Sequence, residues 1–147
     1  MNSSNCWLGD EILYDSLSNK EQESYNSVHL MKEMSRWGYL ESTKINGDKH
    51  GADLLFYRAK DADVKKIQLK GRATFDKKYK GKNLYIAFQD KRKNSWYVYP
   101  HDVVVQQSLY LSTWAQSQSW EEKGSYSWNS VPQWLAEILE QWKITND

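Results

Sequence analysis

The chain has 147 residues, with 20 Lys and Arg against 19 Asp and Glu, a formal net charge of +1 and a single cysteine, Cys6. This length suits one domain that buries about two-thirds of its unfolded surface, and one cysteine excludes an internal disulfide and any thiolate metal cluster, which fits a reducing cytoplasm. The N-terminal "MNSSNCWLGDEI" has neither the basic start nor the apolar run of a signal peptide, and no stretch reads as a membrane span.

"SNKEQESYNSVHLMKEMSRWG" predicts a helix with Ser18 or Asn19 as N-cap, acids in its first turn and Gly38 as its stop. Val28, Leu30, Met31, Met34 and Trp37 give it an apolar stripe. "YLESTKI" then reads as a strand and "NGDKHG" as a polar turn. "ADLLFYRA" and "KKIQLKGRA" form a hairpin around "AKDADVK", and "LYIAF" and "SWYVYP" a second one across "QDKRKN". Pro100 ends the last strand. "HDVVVQQSLYLSTW" reads as a short helix and "SVPQWLAEILEQWK" as another, with Ser130 at the N-cap and Pro132 in the first turn. The expected order is a helix, a run of mostly antiparallel strands, then helices, with no internal repeat, linker or low-complexity segment.

Eight tryptophans are present, and Trp114, Trp120, Trp128, Trp134 and Trp142 fall in the last third. Trp134, Ile138 and Trp142 repeat every four residues, which is a core stripe before it is a dimer face or a stacking surface for bases. The positive charge is unevenly spread. Residues 54–100 hold 13 Lys or Arg against 4 acids, whereas residues 1–53 hold 5 against 9. Arg72, Lys77, Lys78, Lys80 and Lys82, with Phe75 and Tyr79 between them, suit a polyanion backbone better than a membrane, because no amphipathic apolar face accompanies them. The two aromatics are free to stack on bases or to pack inward. Without a nucleic acid, the same run is a solvated face.

The segment "VKKIQLKGR" raises the chemical question. With period two, Ile67 and Leu69 point one way and Lys66, Gln68 and Lys70 the other. A half-buried strand with a wet face explains this on its own. In the hairpin, however, Asp53, 15 positions before Gln68, comes to lie beside it at one end of the ladder.

The series of helix, Gly-Tyr turn, strand, "GADLLFY" and "IQLKGR" resembles the core of the PD-(D/E)XK nuclease superfamily over residues 20–110. The closest likeness is to the branch with a Gln in its triplet, which includes intron-encoded endonucleases and relatives of Holliday junction resolvases. "YVYPHDVV" is similar to that branch too. A lone QxK triplet is weak, since roughly one arises by chance in a chain this long. The likeness implies a restriction-endonuclease-like α/β or α+β fold, a central mixed sheet flanked by helices, within a single domain spanning 1–147. Its core would cover about 20–110, followed by a Trp-rich helical extension over about 111–147.

It also implies a metal-dependent DNA endonuclease using Mg²⁺, with Mn²⁺ as substitute, on duplex or branched DNA, and it is compatible with a homodimer. Asp53, Gln68 and Lys70 match the family's catalytic positions. Asp53 and the Gln68 carboxamide would hold the cation with the Leu69 carbonyl, a weakly anionic set, and Lys70 would face the charge that grows on the phosphate. The family's helix Glu, about eleven residues before the closing Gly, is Ser27 here. Glu23, one turn earlier on nearly the same helix face, is the substitute; read on its own, it is a first-turn acid favoured by the helix dipole.

His50, three residues before Asp53, is placed to position water or a phosphate, or is an incidental loop residue. His29 is expected on the helix surface and His101 at a strand end, a spacing that gives no zinc signature. Two other classes stay open: a nuclease-fold DNA-binding module without cleavage, and a small interaction or inhibitor protein acting on a nucleic-acid defence or repair system. The near-neutral charge with a basic centre argues against a DNA mimic, which should be strongly acidic.

Overall fold

The computed structural model describes residues 6–44 and 52–146. Helix α1, Asn19–Ser35, opens on a capping box: Ser18 Oγ accepts from the Glu21 amide at 3.2 Å, and Glu21 Oε1 accepts from the Ser18 amide at 2.9 Å. Gly38, at φ +85°, turns the chain out of the helix in a conformation that side chains disfavour. Strands β1 (Tyr39–Lys44), β2 (Leu54–Arg58) and β3 (Asp63–Leu69) follow, then β4 (Thr74–Asp76), β5 (Tyr85–Asp90) and β6 (Ser95–Pro100). Helix α2 is His101–Ser108, strand β7 is Ser125–Ser127 and helix α3 is Gln133–Leu139.

The fold is α+β. Its main sheet has the order β1-β2-β3-β5-β6, and β4 pairs with β7 in a separate two-stranded sheet. Neighbours in the main sheet are antiparallel except β3 and β5, which run parallel with Gln68 opposite Ile86. Parallel strands need a crossover, and here it carries β4 and a 3₁₀ turn, Lys77–Tyr79. The hairpin β2–β3 turns through Ala62 at φ +58°.

Each face of the main sheet has its own core. Leu30 and Met34 of α1 pack on Leu54, Phe56, Ile67, Ala87, Trp96 and Val98. On the opposite face Ile86, Phe88, Tyr97 and Tyr99 meet Phe75 and Tyr79 of the crossover, together with Trp114, Trp120, Leu135 and Leu139. The strict alternation along β5 and β6 between the two clusters is the pleat of a sheet buried on both sides.

Several details depart from the sequence expectations. Val28 and Trp37 are about half exposed, at 58% and 47%, whereas Glu33 is buried and ion-paired to Arg36 at 2.9 Å. His29 packs edge-on against Trp96 at 5.2 Å. Ser130 is not a cap: α3 begins after Pro132, whose ψ of 158° is extended, and the residue before a proline is itself kept from the helical region. On α3 the fully buried residues are Leu135 and Leu139, with Trp134, Ile138 and Trp142 partly buried beside them.

Phe75 and Tyr79 are core residues, 0% and 1% exposed, so neither ring is presented to bases. Truncating Tyr79 to Ala is therefore expected to cost about 3 kcal/mol of stability in urea unfolding, as for other buried aromatics. A loss below about 0.5 kcal/mol, the scale of a surface change, would contradict this packing.

Candidate functional site

The β2–β3 register places the candidate residues. Leu54 is paired with Ile67, so the next position outward sets Asp53 beside Gln68, and the Asp53 amide donates to the Ile67 carbonyl at 2.9 Å. Because Leu54 and Ile67 face α1, Asp53 and Gln68 emerge together on the opposite face. Gln68 Nε2 donates to Asp53 Oδ2 at 2.7 Å, and the Leu69 amide donates to the same oxygen at 3.3 Å. Turning the amide over would aim its carbonyl at the carboxylate, so Nε2 is the donor.

That orientation has a cost. Gln68 is 7% exposed, and its Oε1 is buried with no hydrogen-bond partner among the described residues. A buried carbonyl left unmatched costs about 1–3 kcal/mol, and a hard cation satisfies it just as an N–H or O–H donor would. Among the described residues no group of three or more His, Cys, Asp or Glu is arranged to hold a metal ion. Asp53, Gln68 Oε1 and the Leu69 carbonyl are thus the donors at hand, with Asp53 as the anion. The oxygen-only character of the set fits Mg²⁺ better than Zn²⁺.

Lys70 follows on the same side. Its backbone amide donates to Ala87 at 2.8 Å, extending the β3–β5 ladder by one residue, and its Nζ lies 5.5 Å from the Tyr79 ring centroid. Lys78 Nζ lies 5.2 Å from that ring, and Lys77 Nζ 5.2 Å from the Trp120 ring. The basic run is therefore a turn with its aromatics inward and its ammonium groups above them. Lys80 is exposed. Lys66 Nζ donates to the Lys82 carbonyl at 2.5 Å, tying the end of the turn to β3. Arg72 donates to Asn129. Glu23 is exposed on α1, which packs on the other face of the sheet, and His50 lies outside the described residues.

Two residues that the sequence reading left aside hold this turn in place. His101 directly follows the last residue of β6, at the strand end as expected, and is the buried first residue of α2. Its Nε2 accepts from the Asp76 amide at 3.0 Å, which puts the ring proton on Nδ1, 2.9 Å from Asp102 Oδ1. Asp102 Oδ2 accepts from the Gly81 amide at 2.9 Å. The "PHD" triplet after a strand was the visible signal, although its partners are some 20 residues upstream.

Burial holds the His101 pKa below the ordinary imidazole value, against the pull of Asp102. A depressed folded-state pKa means that the unfolded chain takes up the proton first. The contribution of His101 is therefore complete above the unfolded value of about 6.5 and is lost as pH falls through the lower folded value. Urea unfolding should show less stability at pH 5 than at pH 7.5, and His101→Asn should flatten that difference. An equal slope in the variant would assign the effect elsewhere.

No protein-family model, no curated protein and no solved structure matches this chain. No helix among the described residues is long and apolar enough to cross a membrane.

Proposed function

We propose that this chain is a metal-dependent DNA endonuclease of the PD-(D/E)XK type, with Asp53, Gln68 and Lys70 at its centre and Mg²⁺, replaceable by Mn²⁺, as its cofactor. The observation that carries the reading is the buried Gln68 Oε1, which has no partner among the described residues and belongs to the same side chain that bonds Asp53. A mixed sheet flanked by helices supports a restriction-endonuclease-like core.

Asp53, Gln68 Oε1 and the Leu69 carbonyl would hold the cation, which when bound supplies Lewis acidity toward a phosphodiester oxygen and a water of lowered pKa. Asp53 contributes the negative charge, and its contacts to Gln68 Nε2 and the Leu69 amide fix its orientation. Lys70, on the same face, offsets the charge that grows on the phosphate oxygens as the bond to the leaving oxygen lengthens. Arg72, Lys77, Lys78, Lys80 and Lys82 neutralise flanking phosphates and set the register of the strand. Glu23, across the sheet, is left out of the ligand set.

The 2.7 Å contact of Gln68 Nε2 with Asp53 favours a second reading, a nuclease-fold module that binds DNA without cutting it, because the amide already takes up part of the carboxylate. Plasmid nicking separates the two. In Mg²⁺ or Mn²⁺ the wild type should cut, and Asp53→Ala and Lys70→Ala should each be slower by at least about a hundredfold with unchanged unfolding midpoints. Equal cutting by all three would point to a contaminant and sink the reading. DNA binding with no cutting by the wild type would leave the second.

A further inference from the structure

Beyond the Asp53–Gln68 pair, a cavity of about 110 Å³ opens at the carboxyl ends of the parallel strands β3 and β5. It lies on the face that carries Gln68. Gln68 is paired with Ile86, and Phe88, two residues further along β5 and on the same face, lines the cavity. Gly71, another lining residue, is three positions from Gln68, so at most about 11 Å of chain separates them.

The lining has three chemical parts. Trp128 is half-buried and held edge-on by Phe75 at 5.0 Å and Trp134 at 5.8 Å, which fixes its ring at the wall. Arg72 and Arg92 are exposed at the rim, and the Arg72 guanidinium is oriented by Asn129. Asp90, 8% exposed, brings a carboxylate whose Oδ1 accepts from the Arg92 amide at 3.1 Å. At Gly71 an added Cβ would meet nothing within 4 Å, so the wall is open there.

An indole in the lining, a buried carboxylate and guanidinium groups at the rim suit one ligand class in one orientation. A nucleobase stacks on the indole, its amino group faces the carboxylate, and its phosphate stays outside on the arginines, away from Asp90. A base inside a duplex cannot enter, because it is paired and stacked on both sides. We infer that this cavity holds one unpaired nucleotide of the strand bound at Asp53 and Gln68, so that the substrate is single-stranded or branched nucleic acid and not continuous duplex. The inference rests on the nuclease reading for the identity of the strand.

The test is binding of the full chain, in chelator, to a labelled single strand, to its continuous duplex and to the same duplex carrying an unpaired base. The single strand and the duplex with the unpaired base should bind more tightly than the continuous duplex. Arg92→Ala should weaken the first two by at least about fivefold, with the duplex changed by less than about twofold. Replacing each base of the single strand in turn by an abasic site should locate one position that costs at least about fivefold, the scale of one lost stack. This scan needs no change in the protein and so is independent of folding.

Equal binding of all three nucleic acids, with Arg92→Ala weakening each alike, or an abasic scan with no sensitive position, would overturn the inference. A flat scan in a protein whose plasmid cutting is still abolished by Asp53→Ala removes the nucleotide slot and keeps the nuclease. One sensitive position in a protein that cuts nothing keeps the slot and removes the nuclease.

Discussion

The pairing of Leu54 with Ile67 is the constraint on which the candidate site depends. Leu54, Phe56 and Ile67 are at most 2% exposed and pack under α1. Each is worth about 1.5–3 kcal/mol of burial. A slip of one residue would turn all of them to the other face. The same register forces Asp53 and Gln68 together on the opposite side and leaves a carbonyl oxygen buried without a partner among the described residues. That defect costs about 1–3 kcal/mol, less than the three apolar side chains together, so the fold tolerates the polar pair where it stands. A site whose position is fixed by the core under it does not need its own interactions to be optimal.

The second requirement is the crossover from β3 to β5. A parallel pair cannot be joined by a tight turn, and the intervening chain is made rigid by burying Phe75 and Tyr79 and by three polar anchors. Tyr99, fully buried, donates to the Thr74 carbonyl at 2.7 Å and accepts from the Thr74 amide at 3.0 Å. His101 and Asp102 hold Asp76 and Gly81. Lys77 and Lys78, between these anchors, then project from a fixed backbone over the Trp120 and Tyr79 rings, which attract cations. The C-terminal segment contributes to the same assembly, through β7 paired with β4 and through Trp114, Trp120, Leu135 and Leu139 in the buried cluster.

Periodicity and punctuation made much of the main sheet readable. Ser18 and Gly38 bracket α1, and the apolar runs in "ADLLFYRA", "KKIQLKGRA", "LYIAF" and "SWYVYP", set off by turn residues, mark four of the paired strands, although β3 starts at Asp63, inside the expected turn over 59–65, and ends at Leu69. What escaped has a common cause. β4 and β7 are three residues each, too short to alternate, and they pair across some 50 positions of chain. The parallel joining of β3 to β5 is a tertiary choice that leaves no local mark. Phe75 and Tyr79 sit among lysines, so composition shows a basic surface where the backbone hides two core rings. At the site, the spacing of Asp53 and Gln68 was legible from the hairpin, but the orphaned Oε1 was not, because it depends on which way one amide is turned.

The central claim is that this amide and carboxylate hold a divalent cation. Titrating Mn²⁺ into isotopically labelled protein tests it, since the paramagnetic ion broadens nearby resonances regardless of whether any substrate is present. The signals of Asp53, Leu69 and the Gln68 side-chain amide should broaden first in the wild type, and the selective effect should vanish in Asp53→Asn. Broadening that begins elsewhere, or that is the same in the variant, would contradict the account.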